Sequence, residues 1–291
     1  MSVTASMVKD LRERTGAGMM DCKTALVETG GDMDAAVELL RESGQAKADK
    51  KSGRIAADGR IVVALDERRA VIAEVNSETD FVAKDENFIA FAEAVAAAAL
   101  AGHAKDVEAL LSDTLADGQR VEAARTELVS KVGENISVRR FVRIDADDRL
   151  GTYTHGARIG AVVAMSGGDA QLAKDMAMHV AATRPLCIDE AGVPSDTLEN
   201  ERRVIQAQAE ESGKSPEIVA RIVAGRVDKF LKEITLLGQP FVRDPDLSVG
   251  RLLDEAGAKV TEFVRFEVGE GIEKREQDFA QEVLSQIRQS G

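Results

Sequence analysis

Apolar residues recur every three or four positions through the first 45 residues, and this spacing predicts three short helices. The apolar faces consist of Met7, Val8 and Leu11, then Cys22, Ala25 and Leu26, then Met33, Ala36, Val37 and Leu40. The expected caps are Thr4, Asp21 and Asp32, and the expected end points are Gly16, Gly30, Gly31 and Gly44. Helices of this length bury little surface, so residues 1–45 are expected to form one compact module.

From residue 59 onward the chain shows strand patterns, and the same order of elements occurs twice. Each unit has a predicted β-hairpin, an Ala-rich helix, and a later strand that contains the tripeptide Phe-Val-Arg. In the first unit, 59–147, these elements are 59–75, 87–100 and 138–144; in the second, 148–271, they are 151–166, 170–182 and 260–266. The pattern predicts an α+β protein whose core is two related subdomains with small antiparallel sheets.

An insertion at about 194–237 lengthens the second unit. It contains two heavily charged helical segments, each with a narrow apolar stripe, and 212–216 can form the turn between them. The stripe residues are Leu198, Val204 and Ile205, then Ile218, Ile222, Phe230 and Ile234. Narrow stripes on charged helices indicate an antiparallel two-helix hairpin that extends into solvent.

Two segments connect or end these units. Residues 46–58 are polar, locally basic and poor in apolar spacing, which predicts a solvated linker that is helical in part. Residues 272–291 are expected to form a C-terminal helical module, because Phe279, Val283 and Ile287 share one face of a helix over 273–289.

The loop at 76–82 separates the first hairpin from the following helix and contains Phe81 between an acid, Asp80, and Val82. The chain has only nine Phe, one Tyr and no Trp, so an aromatic in a polar loop is unusual here. Phe81 could fold into the core, as most Phe side chains do, or could be presented to a partner. Spacing alone favours the core.

Composition excludes several classes of function. The net charge of −13 argues against direct binding to nucleic acid, which requires many unopposed Lys and Arg side chains. Cys22 and Cys187 are far apart, the three His are scattered, and neither has metal-ligand spacing, so we expect no metal, no cofactor and a reducing compartment. No apolar run approaches the roughly 20 residues of a membrane span, and helical spacing begins within the first ten residues. A cytoplasmic protein without membrane contact is expected.

Two stretches resemble nucleotide-binding motifs, but each lacks a glycine that the motif requires. The sequence Gly213-Lys214-Ser215 resembles the end of a phosphate-binding loop, but Gln208 stands where the first glycine is required. The pair Gly269 and Gly271 lacks the third glycine of a dinucleotide fingerprint, and the neighbouring acids would repel a pyrophosphate. The sequence therefore predicts neither bound nucleotide nor enzymatic activity.

Several stretches, in the same order, resemble landmarks of the bacterial translation elongation factor Ts family, whose members are nucleotide exchange factors for the GTPase elongation factor Tu. They are residues 8–23, 76–82, 153–160, 177–182, 238–242 and 265–271. The resemblance covers nearly the whole chain. It implies a ubiquitin-associated-like three-helix domain, a coiled-coil hairpin at the insertion and a C-terminal module.

The resemblance also implies a mechanism. The family's Thr-Asp-Phe-Val element falls on Thr79, Asp80, Phe81 and Val82, where the acid and the aromatic would insert into elongation factor Tu, disturb its magnesium site and release GDP. The N-terminal contact with the GTPase would involve Lys9, Arg12, Met19, Met20 and Lys23. His155 and His179 match landmarks near the partner surface. The chain itself would bind no nucleotide.

Two alternatives remain open on the residues alone. Met19 and Met20 could fill the core of the N-terminal module, which is the commoner role of Met, or they could form an adaptable contact surface. The module could also make this chain an interaction scaffold that binds partners without driving exchange.

Overall fold

The structure is a computed structural model that describes residues 3–211 and 213–273. The predicted C-terminal helix at 273–289 therefore lies outside the described residues, apart from Glu273. None of the helices in the described ranges is both long enough and apolar enough to cross a membrane.

The first three helices are α1 (Ala5–Thr15), α2 (Met19–Glu28) and α3 (Met33–Lys51). Two predicted caps are confirmed. Thr4 Oγ1 accepts from the Met7 N–H at 3.3 Å, at the start of α1. Asp32 Oδ1 accepts from the Asp34 and Ala35 N–H groups at 3.0 Å, at the start of α3. Gly16 ends α1 in the left-handed conformation, as expected. The second helix begins at Met19 instead of Asp21, which lies in its first turn.

The prediction that Gly44 ends the third helix is wrong, because α3 continues to Lys51. Gly44 is buried inside α3, against the later helix α6 (Val121–Val132): a Cβ built on it would lie 3.0 Å from Ser130 Oγ. Close approach of the two helices therefore outweighs the low helix propensity of glycine. The predicted linker is helical through residue 51.

The first unit contains, in chain order, β1 (Asp58–Leu65), β2 (Arg69–Ser77), α4 (Glu86–Ala101), α5 (Val107–Ser112), α6 and β3 (Ile136–Asp145). Its sheet has the order β1-β2-β3 and is antiparallel throughout. The helices cover one face of this sheet, where Phe88, Val95, Leu110 and Val129 are buried. The other face is buried as well, since Ile72 of β2 belongs to a separate core cluster, and burial of both faces explains why the hairpin strands read as continuous apolar runs.

The second unit contains β4 (Arg149–His155), β5 (Ile159–Ser166), α7 (Ala170–Thr183), α8 (Ser195–Glu210), α9 (Pro216–Ile234), β6 (Pro240–Phe241), β7 (Asp244–Ser248), α10 (Val249–Glu255) and β8 (Lys259–Glu267). Its main sheet has the order β4-β5-β8 and is antiparallel. The prediction of an α+β protein with small antiparallel sheets is confirmed.

The two main sheets pack face to face and place a third cluster of buried residues between the units. This cluster contains Ile61, Ile72, Ile144, Val162 and Phe266. Gly160 on β5 permits the close approach, because a Cβ there would lie 2.6 Å from Ile61 Cγ2. The core is therefore four layers deep, with a helical layer outside each sheet.

A fully buried acid, Glu74, also joins the units. Its carboxylate accepts from Arg139 Nη1 at 3.0 Å, from Arg140 Nε at 2.6 Å, and from the Gly269 N–H at 2.8 Å. Burial opposes ionisation, but these hydrogen bonds and that from Asn76 together lower the pKa of Glu74. Glu74 is therefore a buried anion that fixes the segment after β8 to the first sheet.

The insertion forms two helices, α8 and α9, which contact each other. Its predicted apolar stripe is wrong in detail: Ile205 is buried as expected, whereas Val204 and Ile218 are exposed. The other buried positions in these helices are Ala209 and Val227. The remaining predicted stripe residues, Leu198, Ile222, Phe230 and Ile234, are half-buried.

Candidate functional site

The loop after β2 presents Phe81 to solvent. A short 3₁₀ turn (Val82–Lys84) follows it, and Asp85 then caps α4 by accepting from the Asn87 N–H at 2.9 Å. Phe81 is 80% exposed, so the interpretation that it folds into the core is wrong. Ala83 and Phe88, a few residues later, are buried in the first core cluster instead.

Asp80 is exposed beside Phe81 and pairs with Lys84, whose Nζ lies 2.6 Å from Asp80 Oδ2. The hydrogen bond from Lys84 is the largest influence on Asp80 and lowers its pKa, and the charge of Arg158 acts in the same direction. The loop therefore carries a carboxylate that stays ionised at neutral pH next to an aromatic ring. Val82 is half-buried against the first core cluster.

Hydrogen bonds hold the base of this loop. The carboxylate of Glu134 accepts from the Thr79 N–H at 3.0 Å and from Thr79 Oγ1 at 2.7 Å. Ser77 Oγ donates to the Thr79 carbonyl at 2.9 Å. Residues 77–79 are therefore fixed immediately before the two residues that project.

The N-terminal helices lie beside the loop and form a cleft of about 510 Å³ with it. Arg12 and the turn at 16–18 line one part of the cleft, and Phe81 and Val82 line another. Sequence analysis assigned Arg12 and Phe81 to separate contact groups, and the structure brings them to one surface. That surface combines a cation with an exposed aromatic ring.

Four further N-terminal residues from the sequence analysis are also exposed. Met19 and Met20 are 57% and 71% exposed, so the interpretation of this pair as core filler is wrong. Lys9 and Lys23 are exposed, and Lys9 Nζ lies 3.7 Å from Glu13 in a surface ion pair. Cys22, between the methionines and Lys23, is fully buried.

His155 is exposed at the end of β4. Its Nδ1 lies 3.4 Å from Tyr153 Oη. The turn that follows it touches the first unit: Arg158 Nη1 donates to Asp58 Oδ1 at 3.2 Å, and the Ala157 carbonyl accepts from the Ile61 N–H. Since Asp58 pairs with Ser77 at the end of β2, this turn lies on the side of the core that carries the loop.

The predicted place of His179 at a partner surface is wrong, because its ring is fully buried. His179 Nδ1 accepts from the Val242 N–H at 3.2 Å, so the neutral ring carries its proton on Nε2 and donates to Gln239 Oε1 at 2.9 Å. Burial lowers the pKa of His179, more than the bond to Gln239 raises it. The residue joins α7 to the segment after α9.

Sequence analysis did not identify Glu134 and Asn135, which hold the loop. Both follow Gly133, which ends α6 in the left-handed conformation. A polar pair between a helix stop and a strand could have marked an anchoring turn, but no local pattern connects it to Thr79. Within 3–211 and 213–273, no three His, Cys, Asp or Glu side chains are grouped to hold a metal ion.

Comparison with known proteins identifies the family. The family model described as elongation factor TS matches residues 78–270. Among similar curated proteins, Elongation factor Ts of Thioalkalivibrio sulfidiphilus is 60% identical over 99% of both chains, and that of Methylococcus capsulatus is 58% identical over the whole of both. Elongation factor Ts of Legionella pneumophila is 54% identical over 99% of both. The chain that presents Phe81 beside a three-helix module therefore belongs to the elongation factor Ts family.

Proposed function

We propose that this chain is a cytoplasmic guanine nucleotide exchange factor that binds elongation factor Tu carrying GDP and promotes GDP release. Asp80 and Phe81 act as the wedge that disturbs the partner's magnesium and nucleotide site. The observation that carries this proposal is the exposed ring of Phe81 on a loop whose base is held by Glu134. The factor itself uses no cofactor and binds neither nucleotide nor nucleic acid.

The remaining parts have supporting roles in this proposal. The three-helix module, of the ubiquitin-associated-like type, adds contacts to the GTPase through Lys9, Arg12, Met19, Met20 and Lys23, with His155 at the edge of the same surface. The helices α8 and α9 form a coiled-coil hairpin. Exposed Met side chains suit such a contact because they adapt to the shape of a partner.

Exchange requires that the factor favour the nucleotide-free GTPase. A factor with equal affinity for both states would not shift the equilibrium, and by linkage the nucleotide and the factor must weaken each other's binding. Phe81 meets this requirement if its ring is buried only in the nucleotide-free complex. Burial of a Phe side chain contributes about 1.5–3 kcal/mol, enough for roughly a ten- to hundredfold shift.

The direct test is release of fluorescent GDP from elongation factor Tu, followed with increasing concentrations of this chain and excess unlabelled nucleotide. We expect release to accelerate and to saturate. Release at the spontaneous rate throughout would reject the proposal.

A second candidate is an interaction scaffold, which the exposed Met19 and Met20 favour. The same titration separates the two functions when binding is measured in parallel. A scaffold would bind the GTPase without changing its rate of GDP release, and would keep that affinity after Phe81→Ala.

A further inference from the structure

We propose that Glu134 is a positioning residue for exchange, which sets the place of Asp80 and Phe81 without contacting the partner. The inference rests on the proposed function and adds to it a residue outside the projecting loop. Glu134 lies 55 positions from Thr79 in the chain, in the short turn between α6 and β3.

The first argument is the bidentate geometry. One oxygen of Glu134 accepts from the Thr79 N–H at 3.0 Å, and the other accepts from Thr79 Oγ1 at 2.7 Å. Two bonds to one carboxylate fix both the backbone and the side chain of Thr79, and hydrogen bonds to an ionised acceptor are stronger than neutral ones. Thr79 Oγ1 lies in turn 3.4 Å from the Val82 N–H, on the other side of the projecting residues.

The second argument is reciprocity between neighbouring residues. Glu78 Oε1 accepts from the Asn135 N–H at 2.6 Å, so each of the segments 78–79 and 134–135 supplies a carboxylate to an amide of the other. Asn135 Nδ2 also donates to the Arg54 carbonyl at 2.8 Å. The turn at 134–135 therefore fixes both the projecting loop and the segment that follows α3, the last helix of the N-terminal module.

The third argument is that Phe81 has little packing of its own. A side chain that is 80% exposed is not placed by contacts with the core, so the direction in which it projects depends on the residues at its base. A loop that is ordered before binding avoids part of the entropy loss on association. Loss of the Glu134 contacts should therefore reduce productive insertion more than initial encounter, which the N-terminal module supports.

The test uses the full chain in GDP release from elongation factor Tu, with Glu134→Ala, Glu134→Gln and the control Glu67→Ala. Glu67 is an exposed carboxylate in the hairpin turn of the same unit. In the Gln variant, the amide oxygen can accept from the Thr79 N–H while the amide nitrogen donates to the Thr79 hydroxyl, which also accepts. Amide hydrogen exchange at Thr79 reports the order of the loop in each free variant.

We expect Glu134→Ala to lower the maximal release rate about tenfold, to change the half-saturating concentration less than threefold, and to speed hydrogen exchange at Thr79. Glu134→Gln should restore most of the rate, and Glu67→Ala should match the unmodified chain. In an Asp80→Ala, Phe81→Ala background, Glu134→Ala should have no further effect, because its action passes through these two residues.

Two results would overturn the positioning role while the proposed function stands. One is that the Glu134→Ala variant keeps the maximal rate of GDP release of the unmodified chain although its hydrogen exchange at Thr79 is faster. The other is an equal loss from Glu134→Ala with or without the Asp80 and Phe81 side chains. If the unmodified chain does not accelerate release, exchange itself is refuted and the role of Glu134 in it falls too.

Discussion

Truncation of Phe81 separates a contribution to folding from a contribution to the partner complex. The ring is 80% exposed in the free protein, so Phe81→Ala should change the free energy of unfolding by no more than about 0.5 kcal/mol, as for an ordinary surface substitution. In the complex, loss of a buried Phe ring should cost about 1.5–3 kcal/mol. Each 1.4 kcal/mol changes an equilibrium about tenfold, which gives a roughly 10- to 100-fold loss of exchange.

The assay is stopped-flow release of fluorescent GDP from elongation factor Tu, with the thermal unfolding midpoint of the variant measured alongside. Leu65→Ala is the matched control, because Leu65 is also an exposed apolar side chain of the first unit, 52% exposed. It lies at the far end of β1 from the loop, about 20 Å away at the rise of a strand. Exchange should be unaffected in this control.

The reasoning fails if Phe81→Ala unfolds at the same temperature as the unmodified chain and still accelerates GDP release equally. A large drop in unfolding temperature would also contradict it, since an exposed ring should contribute little to the fold.

Three further predictions concern the core and are measured by urea unfolding. Glu74→Gln should destabilise the fold by about 3–5 kcal/mol, since it leaves Arg139 and Arg140 without their buried anion. Because the folded-state pKa of Glu74 is lowered, its contribution is complete above about pH 4.5 and is lost as the pH falls through the folded value; the Gln variant should lack this dependence. Burial lowers the pKa of His179, so the unfolded chain binds its proton first and stability should fall as the pH drops below about 6.5; an equal slope in His179→Gln would contradict this. Gly160→Ala should cost about 1–3 kcal/mol by forcing the sheets apart, whereas Gly225→Ala, where nothing lies within 4 Å, should stabilise α9 by up to about 1 kcal/mol.

Features that depend on local sequence could be predicted. Thr4 and Asp32 cap their helices because the acceptor and the amides are within three residues of each other. The hairpins and the order of elements in each unit follow from strand patterns and turns. The class of fold was predictable for the same reason.

Features that depend on tertiary contact could not be predicted from spacing. Gly44 has the local signature of a helix end, but α6 packs on it and α3 continues. The exposed positions of Val204 and Ile218 depend on how α8 and α9 face each other, which two narrow stripes do not determine. The contact between Glu134 and Thr79 joins residues 55 positions apart, and their local sequences give no sign of it.

The exposure of Phe81 is the hardest of these features to explain by folding alone. A polar residue at this position would serve the stability of the free chain equally well, since the ring buries little against its own core. Yet Ser77, Thr79 and Glu134 immobilise the segment that leads to it, and Asp85 caps the helix that follows it. Ordering a loop costs conformational entropy, which these hydrogen bonds must offset in the free chain. An aromatic side chain that folding does not bury, on a loop that folding holds in place, is most simply explained by burial against a partner.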